Sequence, residues 1–392
     1  MTADRWQALD DAVARDVAAG RIPGAVMRVQ HAGDVVHQRA IGQRDPASGA
    51  AMTEDTIFRI YSMTKPIVSV ATMMLVEAGR LGLDDAVALH LPEFGSLQVA
   101  TETVDGDGRK TLALMPCPRP PTVRDLLRHT AGFTYGIFGQ SLLKSRYLQA
   151  GVESRQASNT EFAHRLARLP LAYAPGTVWE YSRATDLLGA LIERITGQTL
   201  GEHLAQQIFQ PLGMVDTGFH VPAAEQHRLA QPFAADPETG QPIRLLDATQ
   251  PPVLESGGGG LVSTAADYLR FARLLLAGGE LDGTRLLRAD TIALMTQDQL
   301  GAEIIRASQV PGATTEYLPG PGYGFGLGFA VRLADAGARY PGHAGDYHWA
   351  GLGGTSFWID PQAQLIAIWM MQAPSLREAY QAFFRSAVYA AL

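Results

Sequence analysis

The sequence reads as an α+β protein. Strands from both ends of the chain build an antiparallel sheet flanked by helices, and a second, mostly helical lobe lies between them. Three observations carry this. Short apolar runs bounded by turn residues cluster near both termini. The middle of the chain instead shows helical spacing between prolines and glycines. Finally, 392 residues, 46% of them hydrophobic, suffice for two lobes sharing a cleft. The expected division is 1–83 with 250–392 for the sheet lobe and 84–249 for the helical lobe, with the functional site at their interface.

The elements follow in order. Residues 3–19 form an amphipathic helix ended by Gly20. Val26–His31 and Val35–Ile41 read as two strands joined by the turn Ala32-Gly33-Asp34, and Thr56–Ile60 as a third. Ser62 to Arg80 follows as a helix so apolar all round that it belongs in a core, with Pro66 tolerated in its first turn. From about residue 84 helices and loops are expected. Thr122 caps Val123–His129; Asn159–Leu169 stops at Pro170; Thr185–Ile195 ends at Gly197. After Gly257-Gly258-Gly259-Gly260 comes a helix over Thr264–Leu276. Strands return at Tyr323–Leu333, Trp349–Asp360 and Gln364–Met371, and a helix over Leu376–Leu392 closes the chain.

Composition excludes several functions. A net charge of −7 argues against a nucleic-acid partner and gives no reason for attraction to anionic membranes. No stretch approaches 18 uninterrupted apolar residues. The first residues lack a basic n-region and an apolar h-region, so a cytoplasmic location is expected. One cysteine, Cys117, excludes an internal disulfide, and its Pro-rich surroundings suggest a small buried or loop residue. No H-E-x-x-H occurs, and His343 and His348 lie five apart on a glycine-interrupted segment, so no metal site is expected.

Ser62-Met63-Thr64-Lys65 carries the strongest chemical signal. Three residues make nearly one helical turn, so hydroxyl and amine stand side by side. A serine hydroxyl needs a base to become nucleophilic, and a desolvated lysine can be one. The chain has three lysines and 29 arginines. Lysine at an apolar helix start therefore suggests a group that must sometimes be neutral, which arginine cannot be. About 0.1 such motifs are expected by chance in a chain of this composition. The second copy, Ser141-Leu142-Leu143-Lys144, lies among polar residues that should leave its lysine solvated, and reads as coincidence.

Two further elements qualify. Tyr181, in Trp179-Glu180-Tyr181-Ser182, could relay a proton beside Lys65. Asp186 could orient either group, although favourable charge at the start of its helix explains it as well. The segment from His343 through His348 and Trp349-Ala350-Gly351-Leu352-Gly353-Gly354 is rich in small residues that let a ligand approach a strand closely.

Together these elements resemble the class C β-lactamase and DD-peptidase superfamily, and within it the family VIII carboxylesterases. The likeness runs from about Ile22 to Met371. Ser62 to Lys65 matches the family's Ser-x-x-Lys. Tyr181-Ser182-Arg183 stands in place of Tyr-x-Asn, and Trp349-Ala350-Gly351 in place of Lys-Thr-Gly. The resemblance implies a β-lactamase/DD-peptidase-like fold and an esterase working through an acyl-enzyme on Ser62, with Lys65 and Tyr181 handling protons. It implies an oxyanion hole from the backbone N–H groups of Ser62 and Leu352, and a substrate wall of Trp349 and Gly351 with Tyr135 and Phe133. Asp186 and His348 would stand behind these, and no cofactor or metal is called for. The substrate expected is a small, uncharged ester. Arg183 and Trp349-Ala350 replace groups that hold β-lactams and peptides in the relatives, which disfavours those substrates. An amidase, peptidase or acyltransferase on the same acyl-enzyme is the nearest alternative, and a non-catalytic binding protein a more distant one. An α/β-hydrolase is disfavoured because no G-x-S-x-G occurs.

Overall fold

The computed structural model describes residues 2–104, 106–306 and 320–392. The central sheet has eight antiparallel strands. In spatial order they are Tyr323–Phe325, Ala330–Arg332, Tyr347–Ala350, Ser356–Asp360, Leu365–Met371, Gly24–His31, Asp34–Asp45 and Ala50–Ala51. The two ends of the chain meet at its centre, where Ala25 pairs with Met371 and His31 with Leu365.

Strand periodicity explains how one sheet serves two cores. Ile366, Ile368 and Met370 face the large core, while Leu365, Ala367, Trp369 and Met371 face a smaller one. The smaller core is sealed by the helices Thr2–Ala18 and Arg377–Ala391 through Leu9, Val13, Phe384 and Val388. Because the strand is buried on both faces, its sequence is a continuous apolar run rather than an alternating one. Asp346 accepts from Arg332 at 2.6 Å and from Arg385, tying the closing helix to the sheet edge.

Against the other face lie the helices Thr64–Glu77 and Ala265–Leu276, with Ala184–Thr196 packed behind the former. Every residue from Thr64 to Met73 is buried, as its all-round apolar character requires. Thr122, Ser158 and Thr264 cap their helices through side-chain oxygens. Gly197, at φ +74°, ends Ala184–Thr196 in the left-handed region.

Several expectations are corrected. Tyr323–Leu333 and Trp349–Asp360 are each a hairpin, because Gly326 to Gly328 and Gly351 to Gly354 turn the chain back. The strand expected over Thr56–Ile60 shortens to Phe58–Arg59, paired with Val262–Ser263. Ser62 lies in a separate 3-10 turn, Tyr61–Met63, and the α-helix starts at Thr64. His129, at φ +58°, ends its helix early, at Leu127. The middle segment, read as helices and loops, also holds a hairpin of Gln98–Val104 with Lys110–Pro116, which the turn dipeptide Asp107-Gly108 signals. Cys117 is half-exposed in a loop and donates to the Arg119 carbonyl at 2.9 Å. No helix among the described residues is long and apolar enough to cross a membrane.

Trp369 is fully buried between the sheet and the closing helix, stacked 5.4 Å from Tyr380 and beside Phe384. Trp369→Ala should destabilise the fold by about 3–5 kcal/mol, read as a lowered urea midpoint. A shift equivalent to less than about 1 kcal/mol would show that this second core adds little.

Candidate active site

Ser62 stands in the turn between the short strand Phe58–Arg59 and the helix Thr64–Glu77. Its Oγ accepts from Tyr181 Oη at 2.7 Å and from Lys65 Nζ at 3.2 Å. Lys65 is buried, and its amine also donates to Tyr135 Oη at 3.1 Å and to the Gly258 carbonyl at 2.5 Å. An ammonium has three donors, and all three have acceptors here. Burial lowers the Lys65 pKa from its usual 10.5 to about 7; the Asp186 carboxylate opposes this and Arg183 adds to it.

The local fold places these groups with some strain. Tyr61 sits at φ +44°, a conformation a non-glycine residue adopts only when its surroundings impose it. They do so on both sides. Ile60 N donates to Leu261 O at 3.0 Å, and Tyr61 Oη accepts from Leu246 N at 2.8 Å. The chain thereby leaves its short strand in one 3-10 turn that presents Ser62 to the cleft. Thr64 Oγ1 accepts from Leu261 N at 3.1 Å, and Tyr268 Oη donates to Met63 O at 3.0 Å.

Asp186 does more than favour a helix start. Buried, it accepts from Ser256 Oγ at 2.5 Å and Gly258 N at 3.0 Å, and pairs with Arg183 at 3.2 Å. Burial works against its charge, but Arg183, Lys65 and these hydrogen bonds hold its carboxyl below the usual range. Asp186 thus fixes the Gly258 peptide whose carbonyl receives Lys65. Any side chain at Gly258 would collide with that carboxylate.

The opposite wall comes from the sheet. The Trp349 ring lies 5.4 Å from Tyr181 and edge-on to Phe325 at 5.3 Å. Gly351 presses against Ile60 O so closely that a Cβ would not fit. Leu352, half-buried, follows it at the cleft. Tyr135, Tyr181, Trp349, Gly351 and Leu352 all line the pocket with Ser62, together with Ile137, Phe138 and Tyr340.

Not every expected residue reaches the pocket. Phe133 is fully buried in the core, edge-on to Phe94 at 6.0 Å. His348 does line the wall. Burial, with Arg385, Arg332 and Arg339 nearby, pushes its pKa well below the usual value, so it is neutral. Lys144 is not solvated: it is buried and faces Glu180 at 3.9 Å. Ser141 instead caps a helix by accepting from Lys144 N at 3.1 Å. Sequence reasoning assigned no role to Arg155 or to the carbonyl of Gly258, and it noted the segment Ser256 to Ser263 only as a secondary likeness to the family, without a role for Ser256. Among the described residues no group of three or more His, Cys, Asp or Glu could hold a metal ion.

The chain matches the Beta-lactamase family over residues 9–390. It is 36% identical over 364 residues to Esterase EstB of Burkholderia gladioli, covering 87% of this chain and 83% of that protein. Lovastatin esterase of Penicillium rubens is 29% identical over 377 residues, 91% of this chain and 90% of its own. Among solved structures, EstCE1, described as a hydrolase with promiscuous acyltransferase activity, has a TM-score of 0.79 at 29% identity, over 99% of this chain and 98% of that one.

With only three lysines, the Lys65 side chain can be followed by NMR in lysine-labelled protein. It should titrate with a midpoint of about 7. Asp186→Asn removes the carboxylate that favours the charged amine, so the midpoint should fall. A midpoint near 10 in the wild type, or a rise in Asp186→Asn, would contradict this account of the site.

Proposed function

Because the chain belongs to the Beta-lactamase family and is a carboxylic ester hydrolase of its family VIII esterase branch, we propose that Ser62 is its nucleophile and that Lys65 and Tyr181 share its proton. One observation carries the assignment: Ser62 Oγ lies within hydrogen-bond reach of both an amine with a lowered pKa and a phenol. Ser62 Oγ attacks the ester carbonyl as its proton passes into the Lys65–Tyr181 pair, which titrates as one unit. The backbone N–H groups of Ser62 and Leu352 hold the oxyanion. The tetrahedral intermediate then expels the alcohol, which takes a proton from the pair. Water, activated by the same pair, attacks the acyl-Ser62 ester and releases the acid.

The substrate class follows from the walls. Trp349, Tyr135 and Phe138 offer apolar, aromatic surface to a small acyl or alcohol group. Lysine and threonine are replaced by Trp349 and Ala350, which disfavours β-lactams. An alcohol could take the place of water at the acyl-enzyme, and the acyltransferase activity in the description of EstCE1 favours that second reading.

Hydrolysis of p-nitrophenyl acetate, butyrate and octanoate, alongside nitrocefin, tests the reading. Wild type should cleave the esters rapidly and nitrocefin slowly or not at all. Ser62→Ala should lower kcat by about 10³-fold or more. Ester cleavage that survives in Ser62→Ala would sink the nucleophile assignment, and fast nitrocefin turnover would sink the reading of Trp349. Since only a neutral Lys65 can accept a proton, kcat/KM should rise with pH through about 7 and level off above it. A profile flat from pH 5 to 9 would exclude Lys65 as part of the base.

A further inference from the structure

Four arginines border the pocket, and three of them are occupied. Arg183 pairs with Glu153 and Asp186. Arg339 pairs with Glu378 at 2.8 Å, and Arg377 donates to the Pro374 carbonyl at 3.1 Å. Arg155, in the connection between the helices Leu142–Gln149 and Asn159–Leu166, differs. It lines the pocket with Ser62, yet its guanidinium makes no hydrogen bond and no ion pair among the described residues. The acidic group whose charge it feels most is Asp186, whose oxygens already receive Ser256, Gly258 N and Arg183.

Arg155 is half-buried in the pocket wall, and that burial disfavours its charge and lowers its pKa. Such a cost is recovered when an anion arrives. The guanidinium fork matches a carboxylate, two parallel N–H groups to two oxygens, better than any neutral group. The Tyr61 and Tyr135 rings stand beside it, and Ile137 and Phe138 make the rest of that side apolar. The surroundings therefore suit one anionic end on an otherwise hydrocarbon substrate.

We propose that Arg155 is a specificity residue that receives a carboxylate carried by the substrate away from the ester undergoing cleavage. Half-esters of dicarboxylic acids, or esters of carboxylated alcohols, are then taken in addition to uncharged esters. This rests on the esterase reading of the same pocket.

Matched substrate pairs test it. Mono-p-nitrophenyl glutarate against p-nitrophenyl butyrate places the carboxylate on the acyl side; 4-acetoxybenzoate against phenyl acetate places it on the alcohol side. The quantity read is the ratio of kcat/KM for the charged ester to that for the neutral one, so that any general loss of activity cancels. In Arg155→Leu this ratio should fall at least tenfold in one pair or both, chiefly through KM, and Arg155→Lys should recover part of it. A smaller fall in both pairs overturns the proposal while leaving the esterase reading intact. Failure of the wild type to cleave either neutral ester overturns both. If Arg155→Leu does not fold, inhibition of wild-type p-nitrophenyl butyrate cleavage decides. Glutarate binding at least tenfold tighter than glutaramide supports Arg155 as the anchor, and a smaller difference overturns it.

Discussion

One constraint governs the cleft: an amine has to be removed from water and still find an acceptor for every proton. Lys65 is buried, and Ser62 Oγ, Tyr135 Oη and the Gly258 carbonyl receive it. Without the burial it would keep its usual pKa and stay charged. Without the acceptors it would be an uncompensated polar group in a core, among the costliest defects a fold can carry. Much of the architecture serves this pair of requirements. The apolar helix Thr64–Glu77 supplies the burial, and the glycine run supplies a carbonyl that can approach without a side chain in the way. Asp186 holds that carbonyl in place from behind.

The same arrangement tunes itself. Asp186 sits close enough to favour a charged lysine, and Arg183 close enough to disfavour it. The two are paired with one another, so their opposing effects on Lys65 come from a single fixed dipole rather than from two independent side chains. Burial is left as the dominant influence, which makes the amine's state depend on how well the cleft excludes water.

What could be read from the sequence divides along sequence separation. Ser62 and Lys65 announce themselves because their contact spans one helical turn and their types clash with an apolar neighbourhood. Tyr181 needed the wider pattern, since a lone tyrosine has many uses. The antiparallel sheet from both ends was legible because strand runs cluster there, but hairpin turns inside Tyr323–Leu333 and Trp349–Asp360 were hidden within runs that looked continuous. Tyr135 and Phe133 looked equivalent; the segment is irregular rather than a strand, so residues two apart need not share a face, and one lines the cleft while the other packs in the core against Phe94. Lys144 looked solvated because its neighbours in sequence are polar, whereas the carboxylate it faces, Glu180, comes from a distant segment. Arg155 could not be singled out among 29 arginines, because being unpaired is a property of the fold and not of the residue.

The strand Gly24–His31 pairs on one side with Leu365–Met371, which is synthesised much later. At about 5–20 residues per second, the early hairpin waits on the order of tens of seconds for its neighbour during synthesis. Throughout that wait Ala25, Met27 and Val29 offer an apolar face and an unpaired edge, the combination that invites pairing with the wrong chain. The pairing of these two strands therefore lengthens the time for which the growing sheet stays open to wrong partners.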